Sequence, residues 1–170
     1  MPSHHDPSSN VIRPAQTEDC EAINAIYNYY VIHSTTTYQI EPDTLGTRER
    51  WLAAHGPRHP VIVAECNGAV VGWGCLNQWR SREAYDNTVE NSVYVANGLH
   101  GQGIGSAILS ELMRLARGIG HHTIVAVIDA EQAASIRLHA KHGFSEVGRL
   151  KQLGFKFNRW LDVVYMQLML

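Results

Sequence analysis

Apolar residues recur along the chain with two different periods, one typical of strands and one typical of helices. Strands are predicted over residues 11–14, 61–66, 69–79, 88–95, 123–128, 144–150 and 161–168. Asn67-Gly68 separates the second strand from the third, and this dipeptide favours a two-residue hairpin turn because both residues tolerate positive φ. We therefore expect these two strands to pair antiparallel.

Two helices are predicted between the first strand and the second. The first begins at Thr17-Glu18-Asp19, and its apolar stripe consists of Ala22, Ile23, Ile26, Tyr27 and Tyr30. The second carries Arg48, Trp51 and Leu52 and ends before Gly56-Pro57.

Two further helices flank the predicted strand over residues 123–128. The earlier one follows a glycine-rich loop and buries Ile104, Ile108, Leu112 and Leu115. The later one is expected to begin at a capping box made by Asp129 and Gln132 and to end near Gly143. The order of elements predicts an α+β fold with one domain over residues 11–170, preceded by a flexible tail over residues 1–10.

Composition and charge argue against nucleic-acid binding and membrane insertion. The chain has 170 residues, 45% of them hydrophobic, which is enough for a single core. A net charge of −2 without a Lys/Arg cluster argues against nucleic acid as a partner. Neither a membrane-spanning apolar run nor a secretion signal is present, so we expect a cytoplasmic protein with no membrane partner.

The cysteines and histidines do not predict a metal site. Cys20, Cys66 and Cys75 lack metal-ligand spacing and are expected to be reduced and buried. His4-His5 falls in the predicted tail, and adjacent residues such as His121-His122 point to opposite faces of a strand. We therefore expect no metal.

The segment from His100 to Ser106 predicts a site for a pyrophosphate group. Its three glycines let a phosphate approach the main chain, and the helix that follows offers unpaired N–H donors. The spacing fits neither a dinucleotide fingerprint nor a Walker loop, because Ile108 or Ser106 stands where the third glycine would fall and Ile104 stands where the lysine would. The alternative is a tight strand-to-helix turn without a ligand.

This loop resembles the acetyl-CoA loop of the GNAT N-acetyltransferases, Q/R-x-x-G-x-G/A, with His100 at the Q/R position. Other segments resemble the phosphinothricin and methionine sulfoximine N-acetyltransferase subgroup. They are Tyr27-Asn28, Thr35-Thr36-Thr37-Tyr38, residues 85–95, Asp129-Ala130-Glu131, Ser135, Leu138-His139, Gly143-Phe144, Lys156-Phe157 and Arg159-Trp160-Leu161-Asp162. The resemblance implies a GNAT fold, with about seven mostly antiparallel strands that splay beside the loop and about four helices. It also implies acetyl-CoA as cosubstrate and a homodimer.

The resemblance implies a set of residues around acetyl-CoA. They are Val93, Tyr94, Val95, His100, Gly101, Gln102, Gly103, Ile104, Gly105, Ser106, Gln132 and Ser135. The main chain of Val93 and Val95 would pair with the pantetheine arm, and an N–H near Tyr94 or Val95 would stabilise the oxyanion. Gln132 stands where the family usually has Asn.

Two residues are predicted to move protons. Glu90 lies among apolar strand residues, where desolvation would raise its basicity toward that of a general base for the amine. The resemblance assigns the same role to Glu90 and places His139 where it would protonate the departing thiolate or order a water. The alternatives are a solvent-facing glutamate and a core histidine held for packing.

The acceptor is predicted to be a small amino-acid analogue. Arg80 and Arg82 can hold a carboxylate or phosphinate, and Tyr38, Tyr85 and Ser92 complete the predicted substrate site. Two other functions stay open: acetylation of a peptide N-terminus, a polyamine or another small amine, and a non-catalytic acetyl-CoA sensor.

Overall fold

A single seven-stranded sheet organises the computed structural model, which describes residues 11–170. Its strands are β1 (Val11–Pro14), β2 (Val61–Cys66), β3 (Ala69–Gln78), β4 (Thr88–Val95), β5 (Thr123–Asp129), β6 (Ser145–Lys156) and β7 (Arg159–Met169). They lie in the order β1-β2-β3-β4-β5-β7-β6, and β4–β5 is the one parallel pair. The predicted α+β class and the antiparallel hairpin at Asn67-Gly68 are confirmed.

Four α-helices cover the two faces of this sheet: α1 (Cys20–His33), α2 (Leu45–Ala54), α3 (Ile104–Ile119) and α4 (Ala133–Lys141). Ile23, Ile26 and Tyr30 of α1 pack on Trp73 and Cys75 of β3. On the other face, α3 packs so closely on the sheet that a Cβ at Gly74 would lie 2.5 Å from Ile108 Cγ2. The two cores are separate because side chains alternate along each strand.

Three details differ from the prediction. The last two strands extend to a two-residue turn at Phe157 and Asn158, with φ of 51° and 57°, so that Trp160 lies in β7 with 59% of its surface exposed. Leu115 is only partly buried. The capping box is wrong: Gln132 caps α4 without a side-chain bond, and tertiary and local contacts occupy the Asp129 carboxylate.

Three other sequence predictions concern the N-terminal tail, membrane-spanning helices and metal ligands. The predicted tail and His4-His5 lie outside the described residues. Within residues 11–170, no helix has both the length and the apolarity needed to cross a membrane. The same range contains no group of three or more His, Cys, Asp or Glu arranged for a metal ion.

The sheet splits between β4 and β5. These strands pair only where Thr88–Glu90 faces Thr123–Val125, and they separate beyond that point. The Ala96 N–H donates to the Val71 carbonyl, so the main-chain groups of Ala96 point toward β3. In an antiparallel pair, the main-chain groups of successive residues point alternately toward the partner strand and away from it. The main chain of Tyr94 therefore faces β3, whereas the main-chain groups of Val93 and Val95 face the split.

Candidate active site

A cavity of about 250 Å³ occupies the split between β4 and β5. Alternation along β4 directs Tyr94 toward the core under α1 and Val93 toward the core under α3, and both residues line this cavity. The cavity therefore passes through the sheet, and two ligands can approach each other from opposite faces.

Glu90 lines the cavity on the same face of β4 as Ser92 and Tyr94. Its side chain is half-buried, and desolvation raises the pKa of its carboxyl, although the positive charge of Arg80 lowers that pKa in part. A carboxylate with raised basicity in a cavity can accept a proton from an amine.

His139 reaches the cavity from α4 and is buried. Its Nδ1–H donates to the Ser135 carbonyl at 2.8 Å, and its Nε2 accepts a bond from Asn91 Nδ2 at 2.9 Å. Burial lowers the pKa of the imidazole, which favours the neutral form. Asn91 was missed by the sequence analysis, because an isolated Asn in an apolar strand gives no signal of a distant partner.

Cys75 pairs with Ser92 of β4 but does not itself line the cavity. Its thiol is buried, contacts the Asn77 side chain, and has its pKa raised by burial to about 12. A thiol needs a low pKa to attack an acyl group at neutral pH. The site therefore favours direct transfer between two ligands over an acylated cysteine.

The segment between α1 and α2 forms one wall of the cavity through Thr36, Thr37 and Tyr38. The Tyr38 hydroxyl donates to Asp129 Oδ2 at 2.7 Å, and burial together with this carboxylate raises the pKa of Tyr38. Lys156 Nζ donates to the Ser34 and Thr37 carbonyls at 2.8 and 2.7 Å. The tip of the β6–β7 hairpin thus holds this segment in place.

Substitution of Gly154 tests the role of this wall. A Cβ at Gly154 would lie 2.3 Å from the Tyr38 ring, so Gly154→Ala must displace Tyr38 from the cavity. We expect the KM for the amine acceptor to rise by about tenfold or more, while the Kd for acetyl-CoA changes by less than about twofold. Gly148→Ala is the matched control in β6, since no atom lies within 4 Å of a Cβ there. Equal kinetics for the two variants would contradict this role of Tyr38.

The glycine-rich loop leads into the start of α3. Gly101 and Gly103 have φ of 78° and 81°, and a Cβ on either would enter open space. The first hydrogen bond of α3 runs from the Ala107 N–H to the Gly103 carbonyl. The N–H groups of Ile104, Gly105 and Ser106 therefore have no partner within the helix. These donors and the helix dipole suit a pyrophosphate.

Polar side chains lie in and around the loop, and one of them has an acceptor atom that is free of partners among the described residues. Gln102 Oε1 is buried with no hydrogen-bond partner within residues 11–170, which leaves an acceptor for a ligand hydroxyl or amide. Tyr30 donates its hydroxyl hydrogen to the Val95 carbonyl and accepts a bond from His100 Nε2 at 2.7 Å. Ser106 Oγ pairs with His142 Nε2 at 3.1 Å.

The structure brings eight of the predicted site residues together in one cavity. One cavity contacts Tyr38, Glu90, Ser92, Val93, Tyr94, Gln132, Ser135 and His139. Val95 ends β4, and residues 100–106 follow it as the loop and the start of α3. Arg80, Arg82 and Tyr85 are exposed and lie outside the cavity lining, which includes no Lys or Arg among the described residues.

The pairing of β4 with β3 determines the direction of the main-chain groups that are predicted to contact acetyl-CoA. The Tyr94 N–H faces β3, so of the two groups predicted to stabilise an oxyanion only the Val95 N–H faces the split. The Val95 carbonyl, predicted to pair with pantetheine, accepts the Tyr30 hydroxyl and keeps a second lone pair. Both features follow from tertiary pairing that the sequence does not reveal.

Comparison with known proteins identifies the fold. Residues 12–165 match the family described as acetyltransferase (GNAT) domain. The L-methionine sulfoximine/L-methionine sulfone acetyltransferase of Salmonella typhimurium LT2 is 42% identical over 160 residues, covering 94% of each chain. The chain thus has the GNAT fold that the sequence predicts.

Two solved structures are similar to this chain over nearly its whole length. One is a ribosomal-protein-alanine N-acetyltransferase from Brucella melitensis, with 42% identity, a TM-score of 0.92, and coverage of 94% of this chain and 99% of that one. The other is a GNAT superfamily phosphinothricin acetyltransferase from Sinorhizobium meliloti in complex with acetyl-CoA. Its identity is 35% and its TM-score 0.91, with coverage of 95% of this chain and 89% of that one.

Proposed function

Because this chain belongs to the GNAT family of acetyltransferases, we propose that it transfers an acetyl group from acetyl-CoA to the α-amino group of a small amino-acid analogue. The candidate acceptors are phosphinothricin, methionine sulfoximine and methionine sulfone. The observation that carries this proposal is the cavity through the sheet, with Glu90 on one face and His139 reaching it from α4 on the other.

The glycine-rich loop is the proposed site of the CoA pyrophosphate. The main-chain N–H groups of residues 101–106 would hold the phosphates, with His100 and Gln102 beside them. The main chain of Val93 would pair with the pantetheine arm in the split, and Gln132 and Ser135 would contact it from the start of α4. Bound acetyl-CoA would supply the thioester carbonyl that an amine attacks.

Glu90 is the proposed general base. A primary ammonium must lose a proton before it can attack, and the half-buried Glu90 carboxylate can accept that proton directly or through water. The Val95 N–H faces the split and would stabilise negative charge on the carbonyl oxygen. The C–N bond would form as the C–S bond of the thioester breaks, and CoA would leave as a thiolate that can take a proton from water. No acylated side chain is needed in this sequence of steps.

The proposed acceptor site lies at the Glu90 end of the cavity. Tyr38 and Ser92 also line the cavity, and Arg80 is close enough to lower the pKa of Glu90. Arg80 and Arg82 would hold an acidic group of the acceptor through paired hydrogen bonds, and Tyr85 would pack against its side chain. This arrangement disfavours a polycation.

The acceptor class is tested by release of free thiol from acetyl-CoA in the presence of each amine. The panel contains phosphinothricin, methionine sulfoximine, methionine sulfone, ordinary amino acids, polyamines and peptides. We expect strong release with the first three. Binding of acetyl-CoA without thiol release for any amine would contradict the proposal and favour the sensor hypothesis.

A peptide N-terminus is the second candidate acceptor. The similarity to the Brucella melitensis ribosomal-protein-alanine N-acetyltransferase favours it, since that structure and this chain share 42% of their residues. Thiol release with alanine-initiated peptides but not with the amino-acid analogues would establish this alternative.

We also propose that the single domain over residues 11–170 works as a homodimer in the cytoplasm. The β6–β7 hairpin exposes Leu150, Leu153, Phe155, Phe157 and Trp160, and an apolar surface of this kind suits a second copy. The three cysteines are buried, as expected for thiols in a reducing compartment.

A further inference from the structure

Asn91 occupies a position in β4 that the proposed proton transfers do not yet explain. It is buried, it follows Glu90 directly, and it lies on the opposite face of the strand. Its Nδ2 lies 2.9 Å from His139 Nε2, across 48 residues of sequence. A polar side chain buried against a candidate catalytic group can determine the protonation state of that group.

The surroundings of His139 allow one neutral tautomer. The Ser135 carbonyl lies 2.8 Å from Nδ1 and can only accept a hydrogen bond, so Nδ1 carries the proton. Nε2 of the neutral ring is then an acceptor. The amino group of Asn91 supplies the donor that this nitrogen requires.

We propose that Asn91 is a positioning residue for acetyl transfer, which holds His139 as a neutral imidazole with its proton on Nδ1. The proposal rests on the proposed function, because it assumes that His139 takes part in the reaction. It implies that His139 Nε2 carries a lone pair in the resting enzyme. A proton for the departing thiolate is therefore not stored on this nitrogen.

The oxygen of the Asn91 carboxamide bears on protonation of His139 Nε2. Asn91 Oδ1 is buried and has no hydrogen-bond partner in the described part of the chain. If Nε2 gained a proton, the carboxamide would have to turn over so that Oδ1 accepts the new N–H. The titratable groups around this pair are His142 directly after α4, Glu90 and Tyr94 on β4, Asp129 at the end of β5, and Tyr38 between α1 and α2.

The tautomer is measured by NMR of the full chain labelled with ¹⁵N-histidine, without ligands, between pH 5 and 9. His139→Gln identifies the signals of His139. We expect a neutral ring protonated on Nδ1 at pH 7, since burial also lowers the pKa of this histidine. A proton on Nε2, or an imidazolium at pH 7, would overturn the proposal.

Two substitutions separate the hydrogen bond from the shape of the side chain. In Asn91→Asp the ionised carboxylate can only accept, so it favours the imidazolium and should raise the pKa of His139 by about 1–3 pH units. The pH profile of kcat should move in the same direction. In Asn91→Leu the Ser135 carbonyl still holds the Nδ1 proton, but Nε2 loses its donor, so the neutral ring is less favoured and the pKa of His139 should rise by less than in Asn91→Asp. We expect kcat to fall about 10- to 100-fold and the Kd for acetyl-CoA to change less than about twofold.

Asn87→Asp is the control for added charge, because Asn87 is exposed immediately before β4. It should leave the titration of His139 unchanged. If Asn91→Asp also leaves that titration unchanged, the proposal fails.

The NMR result does not depend on the proposed function. A raised pKa of His139 in Asn91→Leu would support the assignment of Asn91 even if no amine in the acceptor panel released thiol. Normal thiol release with an unchanged titration of His139 would instead refute the role of Asn91 and leave the proposed function intact.

Discussion

Glu90→Gln is expected to lower kcat for acetyl transfer by about 10²- to 10⁴-fold, the usual contribution of a general base. The substitution keeps the size of the side chain and removes its ability to accept the amine proton. Because the cavity position of Glu90 stays filled, the Kd for acetyl-CoA should change little. Steady-state thiol release and a separate acetyl-CoA titration measure the two effects.

The dependence on pH distinguishes a base from a structural carboxylate. Glu90 acts only when ionised, and desolvation raises the pKa of its carboxyl. The rate should therefore fall as pH decreases through this raised pKa, and Glu90→Gln should lose that limb of the profile. Glu83→Gln is the control, since Glu83 is exposed in the 3₁₀ turn ahead of β4. An unchanged pH profile in Glu90→Gln would rule out the proton transfer.

Gly103→Val is expected to weaken acetyl-CoA binding by about 100-fold. Gly103 has φ of 81° at the start of α3, where a branched side chain would fill the space left for phosphate and shift the main-chain donors. Loss of one or two hydrogen bonds to a charged group costs about 3 kcal/mol, which corresponds to that change in Kd. Isothermal titration with acetyl-CoA measures it.

Gly120→Val controls for backbone strain. Gly120 caps the other end of α3 with φ of 91°, and a Cβ there meets no atom within 4 Å. Both variants should lose a similar free energy of unfolding, about 1–2 kcal/mol, because a side chain is disfavoured at positive φ. Only Gly103→Val should lose affinity for acetyl-CoA. A folded Gly103→Val protein with normal affinity would place the pyrophosphate elsewhere.

The sequence by itself determined the elements and their class. Apolar periodicity and turn residues predicted all seven strands and four helices, and β1, β2 and β4 begin and end at the predicted residues. These features are local, because a hairpin at Asn67-Gly68 or a helix after Gly103 depends on the φ that nearby residues allow. The resemblance in the same residues predicted the GNAT family, which the match over residues 12–165 confirms.

Only the tertiary structure decided which groups share the cavity and what each can do. The bonds from Asn91 to His139 and from Tyr38 to Asp129 join residues 48 and 91 positions apart. The side of β4 that the Tyr94 N–H faces depends on the register with β3. Hydrogen-bond partners and burial set these properties, and both arise when separate segments pack together, so no local pattern in the sequence contains them.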